Sequence, residues 1–209
     1  AINIRPATTT IALADLDAHF VAQESFPTAQ EPEPFITDLV PRLHKLIEMR
    51  PDVTCEGIGV SLPGRLDLSS QKLVFAPNLG WGEVDLKTPL EAATGLPVEL
   101  ENAANACALA EVWFGQHIEG GRNLVALTIS EGIGSGLILN HQLVQGSTGA
   151  AGEFGHLTII EDGLPCRCGN SGCWEVYASN SAAVRYYTQA TTRARVGKNG
   201  SATSESEPT

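Results

Sequence analysis

The sequence predicts an α/β layered fold, and three observations carry that expectation. Short Val-rich and Ile-rich runs alternate with segments of helical periodicity, the pattern of strands and helices stacked in layers. One helix is sharply delimited, because Asn102, a strong N-cap residue, directly follows an apolar run and Gly115 closes the segment. The chain has 209 residues, 43% of them hydrophobic, enough for one sizeable core or two modest lobes.

Taken in order, strands are expected at Thr9–Ala14 and His19–Ser25, followed by a helix near Phe35–Met49. In that helix Phe35, Ile36, Leu39, Val40, Leu43, Leu46 and Ile47 recur at three- and four-residue spacing. Pro41 should kink it or mark its true start. Strands follow at Glu56–Ser61, Lys72–Ala76 and Val98–Glu101. The helix that Asn102 opens then runs through Ala106, Leu109, Ala110 and Trp113. In α/β folds such a strand-to-helix corner gathers ligands, because free backbone amides and short polar side chains converge there. Further strands are expected at Leu124–Ser130 and Gly136–Asn140. Beyond Ala178 the pattern decays into a polar segment, residues 181–209, expected to be flexible because it cannot bury enough apolar surface.

A net charge of −11 with only 13 Lys and Arg argues against this segment wrapping nucleic acid. No apolar run is long enough to span a bilayer, and Ala1-Ile2-Asn3-Ile4 carries no secretory leader. The expectation is a cytoplasmic fragment without membrane contact whose N-terminus lies upstream. Cys55 and Cys107, in apolar and Ala-rich surroundings, are expected to be buried as small hydrophobes.

Cys166, Cys168 and Cys173 crowd into eight residues with Gly169 and Gly172 between them, and His156 lies close upstream. This Cys₃His set suits tetrahedral zinc in a closed, structural site. Disulfide pairing competes, but Cys166 and Cys168 flank a single residue and any pair strands an odd thiol.

Five motifs give the chain a family likeness: Gly57-Ile58-Gly59-Val60-Ser61-Leu62-Pro63-Gly64, Pro77-Asn78-Leu79-Gly80-Trp81, Glu101-Asn102-Ala103-Ala104-Asn105-Ala106, Gly149-Ala150-Ala151-Gly152-Glu153-Phe154-Gly155-His156, and the cysteine loop ending Cys173-Trp174-Glu175. From about Ile2 to Ala178 the chain resembles the ROK proteins, bacterial sugar kinases and sugar-responsive repressors. The resemblance implies an actin-like ATPase fold of two ribonuclease-H-like lobes, the second truncated: residues 1–118 in the first lobe and 119–180 in part of the second. It implies that Glu153, His156 and Glu175 grip sugar hydroxyls or the metal, with Asn102 supplying an amide and Asn78 and Gly64 lining the wall. Plainer roles compete. Asn102 can be only a helix cap, Glu153 a solvated loop acid, and Glu175 a first-turn acid favouring the helix dipole. Trp81 and Trp174 read as packing residues.

Three departures from the family's kinase pattern point away from catalysis. The first phosphate loop reads Asn3-Ile4-Arg5-Pro6-Ala7-Thr8-Thr9, where glycines would let amides approach phosphate. Ala103 stands where the catalytic Asp is expected, and the second phosphate loop, Thr128-Ile129-Ser130-Glu131-Gly132, carries a carboxylate unless Glu131 turns outward. The resulting expectation is a non-enzymatic sugar-sensing domain of a transcriptional regulator. It takes a monosaccharide or sugar phosphate effector, works as a homodimer or homotetramer, and acts on operator DNA through an upstream helix-turn-helix segment absent from this chain. The alternatives are a hexose kinase using ATP and a zinc-stapled oligomerisation scaffold.

Overall fold

The structure, a computed structural model, describes residues 1–115 and 122–200, excepting the side chains of 193–200. The tail beyond residue 200 expected to be flexible lies outside the described residues. Two compact units are present, Ala1–Thr128 with Gly134–Phe154, and Ile129–Ile133 with the chain from Gly155. The strands beyond residue 118 thus group mainly with the first unit.

The first unit is built on a five-stranded sheet. Strands β1 (Ile2–Ile4), β2 (Thr8–Ala14), β3 (Phe20–Pro27), β4 (Ile58–Leu62) and β7 (Val98–Asn102) run in the order β3-β2-β1-β4-β7. The first three pair antiparallel, while β1–β4 and β4–β7 pair parallel. Strand β1, which the sequence reading did not anticipate, alternates buried Ile2 and Ile4 about exposed Asn3. The turn after it is closed by hydroxyls: Thr28 Oγ1 donates to the Arg5 carbonyl at 2.7 Å and lies 2.8 Å from Thr9 Oγ1.

Helix α1 (Pro32–Glu48) buries Phe35, Leu39, Leu43 and Leu46 on one face, the stripe its spacing predicts. Pro32 occupies the first turn, where a missing N–H costs nothing. Pro41 neither starts nor interrupts the helix; it lies inside it, on the exposed face, where water can satisfy the carbonyl it leaves unpaired. Trp81, 1% exposed, packs against Phe35 with ring centroids 5.1 Å apart and donates Nε1–H to the Gln30 carbonyl at 2.9 Å. It is a core residue, as expected.

A small pair, β5 (Arg65–Leu66) with β6 (Leu73–Phe75), and helix α2 (Lys87–Thr94) follow β4. Asp85 accepts from the Thr88 amide and hydroxyl at the start of α2, and left-handed Gly95 ends it. Helix α3 (Ala103–Phe114) buries Ala104, Asn105 and Ala108. Strand β9 (Ile133–Leu139) meets it closely: a Cβ on Gly136 would lie 2.5 Å from the Ala104 carbonyl oxygen, so only glycine fits. Cys107 is exposed, not buried as expected, because α3 turns Ala104 and Ala108 inward and leaves that face to solvent. Cys55 is half-buried.

The three-stranded sheet β10-β9-β8, with β8 (Leu124–Ile129) and β10 (Gln142–Leu143), leaves β8 at an edge. Val125, Leu127 and Ile129 project from β8 at 53%, 50% and 54% exposure. Beyond the cysteine loop come α4 (Trp174–Ala178) and α5 (Asn180–Gly200). A helix stands at the start of the polar segment expected to be flexible from residue 181: alanine is the strongest helix former, and Ala182 is fully buried. No helix among the described residues is long and apolar enough to cross a membrane.

Replacing Trp81 with Ala should remove about 3–5 kcal/mol of stability, measured as a lowered denaturant midpoint with an unchanged slope.

Candidate functional site

In the second unit, loop geometry gathers the predicted metal ligands. Pro165 bridges Ser171, and Thr158 bridges Cys173. The Cys166 amide donates to the Asn170 carbonyl at 2.8 Å, and the Gly169 amide to the Cys166 carbonyl at 3.1 Å. Gly172 is held at φ +74, where an added Cβ would sit 1.8 Å from the Ile160 carbonyl oxygen. No other residue fits that position.

The ligand atoms of His156, Cys166, Cys168 and Cys173 all lie within 4.8 Å of one another. Cys168 and Cys173 sulfurs are 3.8 Å apart, and Cys166 Sγ is 3.7 Å from His156 Nδ1. Sulfurs on a tetrahedral zinc with bonds near 2.3 Å would stand about 3.8 Å apart, so the group has the spacing of a metal site. All three thiols are free and the 3.8 Å gap is far beyond a disulfide bond. Burial, with Cys168 and Cys166 close by, pushes the Cys173 thiol up to about 12. Metal-free, that thiol stays protonated at neutral pH; a cation is what would make thiolates of the cluster.

Glu175, nearly buried in α4, accepts from the Ile133 amide at 3.0 Å and lies 3.9 Å from Cys166 Sγ. Its carboxylate therefore braces the cysteine loop, a contact the sequence did not signal. Tyr177 adds a second brace by accepting from the Leu164 amide at 2.7 Å.

In the first unit, Asn102 caps α3: its Oδ1 accepts from the Ala104 and Asn105 amides at 2.8 and 3.3 Å. Its Nδ2 also donates to the Gly64 carbonyl at 2.8 Å. One side-chain amide thus caps α3 and holds the Gly64 backbone. Gly64 sits at φ +115 with no room for a Cβ, which would come 2.6 Å from the Phe75 carbonyl oxygen. Asn78 lies half-buried in the tight turn that Ala76 and Trp81 close with paired backbone bonds. Glu153 is half-buried just after Gly152, which sits at φ +88 and where an added Cβ would come 2.4 Å from the Ser135 carbonyl oxygen, again excluding a side chain.

Sequence reasoning missed Glu101 and Gln145. Glu101 Oε1 accepts from the Asn102 amide at 2.8 Å and from Asn105 Nδ2 at 2.9 Å, and Oε2 accepts from Gln145 Nε2 at 3.0 Å. The signal lay inside a quoted motif, but only its Asn was given a role. The loop Ser130–Gly132 is tied to α5, with the Asn180 amide donating to the Ser130 carbonyl and Ser181 Oγ to that of Glu131, both at 2.8 Å.

The sequence profile described as ROK family matches residues 1–206. A glucokinase of Streptomyces coelicolor is 38% identical over 85% of this chain and 55% of its own length. The xylose repressor of Bacillus subtilis is 39% identical over 83% of this chain and 45% of its own. The crystal structure of a ROK family glucokinase from Streptomyces griseus in complex with glucose and AMPPNP superposes with a TM-score of 0.83 at 32% identity, covering 92% of this chain and 60% of that one. The chain thus spans about half the length of the curated relatives it matches. The actin-like α/β fold expected from the motifs is the fold of these relatives and of this chain.

The exclusion of enzymatic activity is corrected by the same findings. Glucokinases match across most of the chain in sequence and in structure, and the two altered loops and Ala103 do not set it apart from them. The physical overreach lay in treating a missing base as a missing reaction: phosphoryl transfer passes through a loose transition state that depends chiefly on positioning and electrostatics.

Cys168→Ser should abolish stoichiometric metal binding, read by elemental analysis of the purified protein. Because ligation releases thiol protons, affinity for zinc should rise with pH from 6 to 8, as measured by competition with a chromophoric chelator; a flat profile contradicts thiolate ligation.

Proposed function

The chain belongs to the ROK family, and on that premise we propose that it forms the sugar-binding portion of an ATP-dependent kinase acting on a hexose-like monosaccharide. The observation that carries this reading is the Asn102 corner, where one side chain caps α3 and fixes the Gly64 backbone. An aligned, pre-paid donor is what a sugar hydroxyl needs. With Oδ1 committed to the cap, Asn102 offers the sugar its remaining amide hydrogen. Glu153 accepts from a sugar hydroxyl in a charge-assisted bond, and His156, with one ring nitrogen on zinc, donates its other N–H to a sugar oxygen. Asn78 and Gly64 line the wall, and Glu175 contacts the sugar as it braces the loop. In this reading residues 1–118 are assigned to the first lobe of the whole protein and 119–180 to part of the second, although strands β8 to β10 group mainly with the first compact unit in this chain.

Zinc on His156, Cys166, Cys168 and Cys173 is structural in this reading, since four protein ligands leave no position for a reactive water. It supplies binding free energy of about 10 kcal/mol or more to order a glycine-rich loop.

A second reading has a specific observation behind it. Ala103 removes the base of the family's kinases, and the xylose repressor shares as much sequence as the glucokinase does. In that reading the same sugar site is the effector site of a regulator, assembled as a dimer or tetramer, whose operator contacts lie elsewhere.

Sugar-dependent ADP release by the zinc-loaded whole protein decides between them. Hexose-stimulated turnover is expected, and Ala103→Asp should raise it by about a hundredfold to ten-thousandfold. Calorimetric sugar binding with no turnover in either protein would overturn the kinase reading in favour of the regulator. Glu153→Ala should weaken sugar binding by about tenfold or more, read by the same calorimetry.

A further inference from the structure

We propose that Glu101 is a positioning residue that, through Gln145, fixes the loop carrying Glu153 against the start of α3. The inference rests on the reading of Asn102 and Glu153 as sugar contacts. Glu101 stands at the last strand position before Asn102, and its carboxylate takes three N–H donors: the Asn102 amide, Asn105 Nδ2 and Gln145 Nε2, at 2.8, 2.9 and 3.0 Å. These three neutral amides meet the negative charge, each in a charge-assisted bond. Two of the three donors belong to the corner itself and the third lies 44 residues away.

Gln145 passes this tie onward. Its carbonyl accepts from the Ala151 amide at 3.0 Å, closing the loop two residues short of Glu153. Within and just after that loop, Gly146, Gly149 and Gly152 hold φ of +70, +69 and +88. Such a segment loses much conformational freedom on ordering, so its place depends on a few anchors. Gly149 is seated against the Leu66 carbonyl, Ser135 Oγ donates to the Gly152 carbonyl, and Gln145 is held by Glu101. The Glu101 tie is the anchor that links the loop to the residue capping α3, and it sets the separation at which Asn102 and Glu153 meet a sugar ring.

The chemistry also says which substitutions should be tolerated. A glutamine at 101 keeps one acceptor for the corner and gains an NH₂. Opposite a glutamate at 145 that NH₂ finds a carboxylate, so the exchanged pair Glu101→Gln with Gln145→Glu preserves the tie with its polarity reversed. Leucine at either position removes it.

The test uses the zinc-loaded whole protein, titrated calorimetrically with D-glucose, D-xylose and N-acetyl-D-glucosamine, together with hydrogen exchange of residues 146–153. Glu101→Leu and Gln145→Leu should each weaken binding of the best sugar about tenfold, and the double variant should be no weaker than the worse single. The exchanged pair should return to within about threefold of wild type. Exchange in the loop should quicken in Gln145→Leu and slow again in the exchanged pair. Unchanged affinity in Gln145→Leu, additive losses in the double variant, or a loss of affinity that merely follows a lowered melting temperature would overturn the proposal. If wild type binds none of the three sugars, the functional reading fails separately. The exchange data then decide the tie: unchanged loop protection in Gln145→Leu refutes it.

Discussion

Backbone pressed against backbone is the constraint on which both units depend. At Gly64, Gly152, Gly155 and Gly172 an added Cβ would lie between 1.8 and 2.6 Å from a carbonyl oxygen, distances no real side chain tolerates. Each close approach fixes a turn that presents a polar group: Gly64 offers its carbonyl to Asn102, Gly152 precedes Glu153, Gly155 precedes His156, and Gly172 precedes Cys173. Charge and hydrogen bonding then act on groups whose positions sterics has already decided.

The fold was legible where periodicity was long or a cap was strong. The α1 stripe, the Asn102 cap and most of the strands follow from spacing alone, because burial of one face demands it. What escaped was short or locally ambiguous. Strand β1 has three residues and sits in a stretch read as a phosphate loop, while α2 spans eight residues, Lys87–Thr94. Asp85 and Gly95 did mark the ends of α2, but its interior lacks a long apolar repeat. Pro41 lies inside α1 and does not mark its start; on an exposed face water can take the carbonyl it leaves unpaired. Hydropathy similarly understated α5, where alanine contributes helix propensity without apolar bulk.

At the site, ligand types and spacing foretold the Cys₃His cluster, since metal geometry constrains sequence directly. The hydrogen-bonded supports were not foretold. Glu101, Gln145 and Glu175 work through partners 42 to 44 positions away in two of their bonds, and no local pattern encodes such pairings. The functional reading erred in another way, by converting absent catalytic groups into absent activity. Residue losses argue about rate, whereas likeness across most of a chain argues about what scaffold is retained.

The row of apolar side chains on β8 bears on how this polypeptide behaves in a test tube. Val125, Leu127 and Ile129 stand half-exposed on a strand that, among the described residues, has no partner along one side, a template for strand addition by another chain. Among the described residues nothing blunts that margin with proline, and the segment Leu124–Ile129 carries no charged group. The stretch Leu124–Ile129 thus offers a margin at which copies of the isolated polypeptide can associate, with the overall charge of −11 supplying the countervailing repulsion.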